Sequence, residues 1–258
     1  MATEIKFVKM HGAENDFILF DEWEYPPPEL NGDIIQRLCD RRAGIGADGV
    51  LILKNAPGFD FELRYLNSDG SEGSMCGNGA LCALKRAEQY TGKSEFNFLA
   101  ADGEHRGWVA EDIVRVTVFA NSKINKLNAD GRDGFLVDTG SPHFVTDLLN
   151  GDAENLHAEG RKIRHSSAFK DGVNVDFIER KGEDVFVRTY ERGVESETRS
   201  CGTGAVAVAL TLMEGSNSSL PVELRFPGGI LTVDKSDRDG ELILEGPTKK
   251  VFEGFLTI

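Results

Sequence analysis

Two cysteines stand at the centre of a short segment that occurs twice in the chain. Residues 75–80 read MCGNGA and residues 200–205 read SCGTGA, so Cys76 and Cys201 lie 125 residues apart in a chain of 258. Each cysteine follows a polar loop and opens a helical stretch, and the unpaired N–H groups of a helix N-terminus lower a thiol pKa. One such cysteine in each copy predicts a site that needs two thiols.

The glycines that follow each cysteine indicate what this site would bind. Gly77 and Gly202 have no side chain, so a ligand can approach the backbone closely. The N–H groups of residues 77–79 and 202–204 would hold an anion such as a carboxylate. Two helix N-termini directed at one carboxylate would also stabilise the charge that develops on it when the adjacent carbon loses a proton.

The other two cysteines, Cys39 and Cys82, are predicted to be packed core thiols. Metal binding is the alternative function for cysteines, but the sequence has no CxxC pair and no His-x₃₋₅-His spacing. We therefore predict that this site holds no metal.

The elements that must position the two cysteines are repeated as well. Residues 47–50 match residues 170–173, and residues 61–65 match residues 185–189, at offsets of 123 and 124 residues. Two copies of this length predict two similar domains, residues 1–120 and 121–248. In each copy, strands alternate with helices.

Three local predictions concern the first helix and the loops. Asp33 to Asp40 is predicted to be an amphipathic helix with Asp33 as its N-cap. The polar stretch 121–134 is interpreted as the domain linker, and residues 191–200 as a loop. Residues 215–219 have a composition typical of a disordered segment.

Composition restricts the class of protein. Hydrophobic content is 40%, charged content is 28%, and the formal net charge of −14 argues against non-specific nucleic-acid binding. No apolar run approaches the ~18 residues of a membrane span, and the N-terminus has no signal-peptide pattern. Four cysteines are too few for a disulfide scaffold, so we expect a cytoplasmic protein with reduced thiols that binds neither nucleic acid nor membrane.

Several motifs, taken in order along the whole chain, resemble the diaminopimelate epimerase family. They are KMHGAENDF at 9–17, NSDGSE at 67–72, MCGNG at 75–79, GVN at 172–174, ERG at 191–193 and CGTG at 201–204. The resemblance implies an α/β (α+β) fold with two pseudo-symmetric domains from an internal duplication. Each domain would be a curled, mostly antiparallel sheet around a central helix, with the active site in the interdomain cleft. The last strand, about 249–258, would return to the first domain.

The resemblance also implies the reaction. It is epimerisation of LL-diaminopimelate to meso-diaminopimelate, in lysine and peptidoglycan-precursor biosynthesis, by a cytoplasmic homodimer without pyridoxal phosphate, metal or other cofactor. Cys76 and Cys201 would be the catalytic residues, one as thiolate base and one as thiol acid on opposite faces of the α-carbon, and they would exchange roles with the direction of reaction. The partner would be a small amino-acid substrate.

The remaining site residues carry over from the family position by position. The substrate-binding residues would be Asn15, Asn67, Gly77, Asn78, Asn174, Glu191, Arg192, Gly202 and Thr203, with His143 and Ser141 in supporting positions. Plainer roles stay open for three of them. Asn67 is also typical of a turn, Asn174 of a strand-edge cap, and Arg192 of a surface salt bridge.

The sequence departs from the family pattern at two positions. Ser141 stands where many members have Asn, so a substrate hydrogen bond would be shorter or mediated by water. Leu81 stands where Arg commonly follows the CGNG motif, a change expected to affect surface packing only.

Two other functions compete with this one. The first is a cofactor-independent racemase of another amino acid, such as histidine; proline racemase is disfavoured because its first motif would read CGHG, whereas Asn78 stands here. The second is a ligand-binding homologue that has lost catalysis, which the two intact cysteines argue against.

Overall fold

A computed structural model describes residues 4–24, 26–120, 123–149, 152–215 and 219–257 of the chain. Its contacts divide the chain into two compact units, Met1–Val116 with Gly246–Ile258 (unit 1) and Thr117–Glu245 (unit 2). Among the described residues, no helix combines the length and the apolar character needed to span a bilayer.

Among the described residues, unit 1 contains seven consecutive strands and two helices from the first half of the chain, together with residues 246–257 from its end. In chain order they are β1 (Glu4–Gly12), β2 (Asn15–Asp21), α1 (Gly32–Cys39), β3 (Gly49–Lys54), β4 (Phe61–Asn67), α2 (Gly77–Thr91), β5 (Glu95–Ala100), β6 (Gly103–Ala110) and β7 (Ile113–Phe119). The strands pair in chain order, and only the β2–β3 and β4–β5 pairs are parallel.

Unit 2 repeats this plan with two additional strands. Its elements are β8 (Asn125–Ala129), β9 (Arg132–Asp138), β10 (Pro142–Asp147), α3 (Asp152–Arg164), β11 (Asn174–Lys181), β12 (Asp184–Glu191), β13 (Ser196–Thr198), α4 (Gly202–Gly215), β14 (Val222–Phe226), β15 (Gly229–Lys235) and the first residues of β16 (Glu241–Thr257). From β9 to β16 the pairing matches that of β1 to β7, again with two parallel pairs, β10–β11 and β12–β14.

Each sheet curls around one helix. Helix α2 contacts β1, β2, β3, β4 and β6, and helix α4 contacts β9, β10, β11 and β15. A helix enclosed in this way must be apolar or small on all sides, and residues 77–84 of α2 are all buried. The predicted fold class, a mostly antiparallel sheet around a central helix in each repeat, is confirmed.

The last strand closes the sheet of unit 1. Residues 248–257 of β16 pair antiparallel with β1, from Gly12↔Thr248 to Glu4↔Thr257, with a register shift between Lys9 and Met10. Both edges of β1 are thereby hydrogen-bonded, which protects backbone that would otherwise be an exposed edge.

Three local predictions were wrong. Residues 125–134 of the predicted linker belong to the β8–β9 hairpin, which turns at Asp130 and Gly131, both with positive φ; residues 121–122 lie outside the described residues. Strand β13 interrupts the predicted loop 191–200 by pairing with β12. The N-cap of α1 is Asn31, whose Oδ1 accepts a hydrogen bond from the Ile34 N–H at 3.0 Å, and not Asp33.

The hairpin was missed because its first strand is held by backbone pairing rather than by burial. Of the residues in β8, only Ala129 is buried, so the strand lacks the apolar alternation by which strands are identified in a sequence.

Of the segment 215–219, residues 216–218 lie outside the described part of the chain.

Leu81 also differs from its prediction, because it is fully buried in α2 and does not lie at the surface. We expect Leu81→Arg to lower the free energy of unfolding by at least about 3 kcal/mol, since the sheet around α2 would enclose an unpaired charge. Urea denaturation followed by circular dichroism measures this. Gln89→Arg, on an exposed position of the same helix, is the matched control, and an equal loss in both variants would contradict the burial of Leu81.

Candidate active site

Cys76 is the N-cap residue of α2. Its backbone is extended, its side chain makes no capping hydrogen bond, and its carbonyl accepts the first helical hydrogen bond from the Ala80 N–H at 2.8 Å. The N–H groups of residues 77–79 precede that first bond, as at any helix N-terminus. The thiol is partly exposed, so this end of α2 combines a reachable sulfur with a partial positive charge.

Asn15 orients its amide toward this thiol. Its Nδ2 donates to Asp48 Oδ2 at 2.7 Å, and its Oδ1 accepts from Asn78 Nδ2 at 3.3 Å and lies 4.0 Å from Cys76 Sγ. An ionised carboxylate can only accept hydrogen bonds, so Asp48 fixes which end of the Asn15 amide faces the cysteine. The predicted residues Asn15, Cys76 and Asn78 therefore lie together.

A charged cluster that was not predicted supports Asn15. Arg41 bridges Asp16 and Asp48 at 2.7 Å each, and Lys9 Nζ lies 2.6 Å from Asp16 Oδ2. Although burial acts in the opposite direction, hydrogen bonds from Arg41 and Lys9 hold the pKa of Asp16 at about 2. Burial and the charge of Asp16 raise the pKa of Asp48. The signals in the sequence were Lys9 and Asp16 within the family motif at 9–17 and Asp48 within a repeated glycine-rich turn.

Cys201 lies in a different environment from Cys76. It is buried at the start of α4, with its Sγ 3.4 Å from Thr203 Oγ1. Burial raises the pKa of this thiol well above its usual range, and the charges of Glu191 and Asp176 raise it further, against hydrogen bonds from Thr203 and the Gly204 N–H. Burial therefore acts against the lowering of the Cys201 pKa that its position at a helix N-terminus predicts, because a thiolate without hydration is disfavoured.

The other two cysteines match their prediction as packed core thiols. Cys39 and Cys82 are both buried. Burial raises the pKa of Cys39 to about 11 and raises that of Cys82 as well. Neither of these two thiols lies at a helix N-terminus: Cys39 ends α1 and Cys82 lies within α2.

A fully buried carboxylate–imidazole pair lies next to Thr203. Asp176 Oδ2 is 2.6 Å from His143 Nδ1, and His143 Nε2 is 3.0 Å from Thr203 Oγ1. Asp176 also accepts a hydrogen bond from the Thr189 hydroxyl at 2.6 Å. His143 was predicted near the reacting centre, whereas Asp176 and Thr189 were missed. The available signal was an acidic residue within the otherwise apolar start of β11, NVDFI.

Asn174 ties Ser141 to the residues after β12. Its Nδ2 donates to Ser141 Oγ at 2.7 Å, and its Oδ1 accepts from the backbone N–H of Arg192 at 2.8 Å. Asn174 thus holds neighbouring protein groups, and Ser141 bonds to it directly. Arg192 is half-buried as a residue, and its guanidinium has no hydrogen-bond or ion-pair partner among the described residues.

Asn67 joins neither of these groups of residues. It ends β4, and its Nδ2 donates to Ser71 Oγ at 3.1 Å while its backbone N–H donates to the Ser71 carbonyl. In this structure it stabilises the turn that leads toward Cys76. The turn-forming role, one of the alternatives that the sequence left open, is the one observed.

Solved structures with the same fold define the class. A phenazine biosynthesis protein of the PhzF family from Bacillus anthracis matches with a TM-score of 0.75 at 12% identity, covering 99% of this chain and 100% of that one. A hydroxyproline epimerase from Agrobacterium vitis matches with a TM-score of 0.71 at 17% identity, covering 99% of this chain and 93% of that one. At these identities the likeness establishes the fold, which is that of PhzF-type and racemase-type proteins.

Sequence relatives establish the family. The family model described as diaminopimelate epimerase matches residues 7–116 and 135–251. A diaminopimelate epimerase from Flavobacterium psychrophilum is 39% identical over 96% of this chain and 99% of its own length, and one from Chlorobaculum tepidum is 38% identical over 96% and 100%. The chain belongs to the diaminopimelate epimerase family, a family of isomerases.

Proposed function

We propose that this protein epimerises LL-diaminopimelate to meso-diaminopimelate by acid–base catalysis at two cysteines. The observation that carries the proposal is membership of the family at up to 39% identity over nearly the whole chain, together with a cysteine at the N-terminus of the enclosed helix in each unit. We further propose that it acts without a cofactor, as a cytoplasmic homodimer, in the synthesis of lysine and peptidoglycan precursors.

The two thiols differ in a way that suits this chemistry. Burial and two nearby carboxylates favour the protonated form of Cys201, so Cys201 begins as the acid. Cys76, which is more exposed and lies at the N-terminus of α2, then acts as the base on the other face of the α-carbon. Cys76 takes the α-proton, Cys201 returns its own proton, and the roles are exchanged for the reverse reaction.

The helix N-termini would hold the carboxylate next to that carbon. Gly77 and Gly202 leave the backbone approachable, and the N–H groups of each first turn are oriented by their helices. Charge that moves onto the carboxylate as the proton leaves would meet these fixed donors. Asn78 and Thr203 line the reacting centre in this scheme.

Solvent deuterium exchange tests the proposal. The purified protein, incubated in D₂O with LL-diaminopimelate, is expected to place deuterium at one α-carbon and to produce the meso isomer, as nuclear magnetic resonance and chiral chromatography would detect. The same panel includes histidine, lysine and proline. Exchange confined to histidine would replace the proposal by a racemase of another amino acid, and binding without exchange would indicate a non-catalytic homologue.

A further inference from the structure

The surroundings of the two enclosed helices can be compared through the glycine that follows each cysteine by three residues, Gly79 and Gly204. A Cβ added at Gly79 would lie 2.9 Å from Leu51 Cδ2, and one added at Gly204 would lie 2.7 Å from Asp176 Oδ1. Gly79 and Gly204 are 125 residues apart, and so are Leu51 and Asp176, which is the separation of the two cysteines. Asp176 therefore occupies in unit 2 the place that Leu51 occupies in unit 1.

The neighbouring strand carries a second difference of the same kind. In unit 1, Phe17 pairs with Gly49 in the parallel β2–β3 ladder, and in unit 2 His143 pairs with Asn174 in the parallel β10–β11 ladder. Gly49 and Asn174 are again 125 residues apart, so Phe17 and His143 are equivalent. Unit 1 places Phe and Leu where unit 2 places His and Asp.

Phe17, Leu51, His143 and Asp176 are all 0% exposed. The apolar pair and the polar pair are therefore compared at equal burial. Unit 1 demonstrates that this fold packs well with an apolar pair at these positions. A buried carboxylate and imidazole lose hydration and are not required for such packing. The polar pair of unit 2 therefore serves something other than the fold.

The hydrogen-bond directions in unit 2 follow from what each group can do. An ionised Asp176 only accepts, so His143 carries its proton on Nδ1, and in the neutral ring Nε2 is left as an acceptor. The Thr203 hydroxyl, 3.0 Å from Nε2, then donates its single proton to that nitrogen. Its oxygen is left to accept from the Cys201 thiol, 3.4 Å away.

We propose that Asp176 is a positioning residue. It fixes the Nδ1–H tautomer of His143, and this tautomer directs the Thr203 hydroxyl proton to His143 Nε2, so that the Thr203 oxygen faces the Cys201 thiol. This inference rests on the proposed function. When Cys201 gives its proton to the substrate carbon, its S–H bond breaks as the C–H bond forms. The Thr203 hydroxyl then turns from Nε2 to donate to the new thiolate, while Asn174 Nδ2, 3.4 Å from Nε2, remains as a donor to the imidazole.

Asp176→Leu, which copies the residue found in unit 1, tests the proposal without substrate. In protein labelled with ¹⁵N-histidine, nuclear magnetic resonance should find the His143 proton on Nδ1 in the wild type and largely on Nε2 in the variant. Thr189→Val removes the donor to the other oxygen of Asp176 and is the control, in which the tautomer should be unchanged. Should Asp176→Leu fail to fold, Asp176→Asn keeps the side-chain size and removes the charge that favours the Nδ1–H form, so the Nε2–H population should rise above that of the wild type.

Measuring kcat and KM of wild type and Asp176→Leu with diaminopimelate tests the role of Asp176 separately from the proposed function. We expect kcat with diaminopimelate to fall about 10–100-fold in Asp176→Leu, less than the ~10⁴-fold lost where a carboxylate orients a histidine that itself takes the proton. KM should change by less than about threefold, because the substrate contacts are kept. A wild-type protein inactive on diaminopimelate would refute the proposed function alone. A His143 tautomer that is Nε2–H in the wild type, or that is the same in wild type and folded variant, would overturn the role of Asp176.

Discussion

Replacing either Cys76 or Cys201 by alanine is expected to abolish epimerisation while the protein stays folded. Each substitution removes the group that serves one face of the α-carbon, so the proton path is interrupted. General acid–base groups contribute ~10²–10⁴-fold individually, and the loss here should reach the upper end of that range. Serine should be nearly as damaging, because a hydroxyl is a much weaker acid than a thiol. Conversion of LL-diaminopimelate to the meso isomer, followed by chiral chromatography, gives the rate.

The chain supplies its own controls for this experiment. Cys39→Ala and Cys82→Ala remove buried thiols with raised pKa values, and both variants should keep their activity. Circular dichroism shows whether each variant is folded. If either Cys76→Ala or Cys201→Ala retains more than about a tenth of wild-type turnover, far above the residual expected without an acid or a base, the two-thiol mechanism is wrong.

The second large effect concerns the distal end of the substrate. Diaminopimelate differs from lysine by one carboxylate, and Arg192 is a half-buried residue whose guanidinium has no partner among the described residues. A guanidinium can bind a carboxylate through two parallel hydrogen bonds, a geometry that the single ammonium group of a lysine side chain cannot reproduce. We expect lysine to be turned over at least ~10³-fold less efficiently than diaminopimelate, and Arg192→Lys to lower kcat/KM for diaminopimelate severely.

Arg180→Lys is the matched control for Arg192→Lys, since Arg180 is exposed in the same unit. It should leave kcat/KM unchanged, and neither variant should alter the melting temperature by much. Comparable kcat/KM values for lysine, histidine and diaminopimelate would remove the basis for assigning diaminopimelate as the substrate. They would favour a racemase of broader selectivity.

The repeated CGxG segments marked both helix N-termini because a cysteine and two glycines are local features of the sequence. Asn15, His143, Asn174 and Thr203 were predicted through the family resemblance. Asp176 was missed because its contact with His143 is made by the pairing of β10 with β11. The residues around Asp176 in the sequence do not indicate that it contacts His143, 33 residues away.

Two other failures have physical causes of the same kind. Leu81 was expected to affect surface packing because many family members have Arg there, but the sheet that curls around α2 buries residues 77–84 on all sides of the helix. The Cys201 thiol was expected to ionise easily because a helix N-terminus can be recognised in the sequence. Burial is a property of the finished fold, and it acts against ionisation here.

The pairing of β16 with β1 has a consequence for the order in which the protein is made. Residues 246–257, which complete the sheet of unit 1, leave the ribosome only after all of unit 2 has been synthesised. Domains generally fold as their sequence emerges, so unit 2 has its full set of strands while β1 still lacks one neighbour. Unit 1 is therefore begun first and completed last. Until residues 248–257 are made, one edge of β1 has unpaired backbone groups that could pair with another chain.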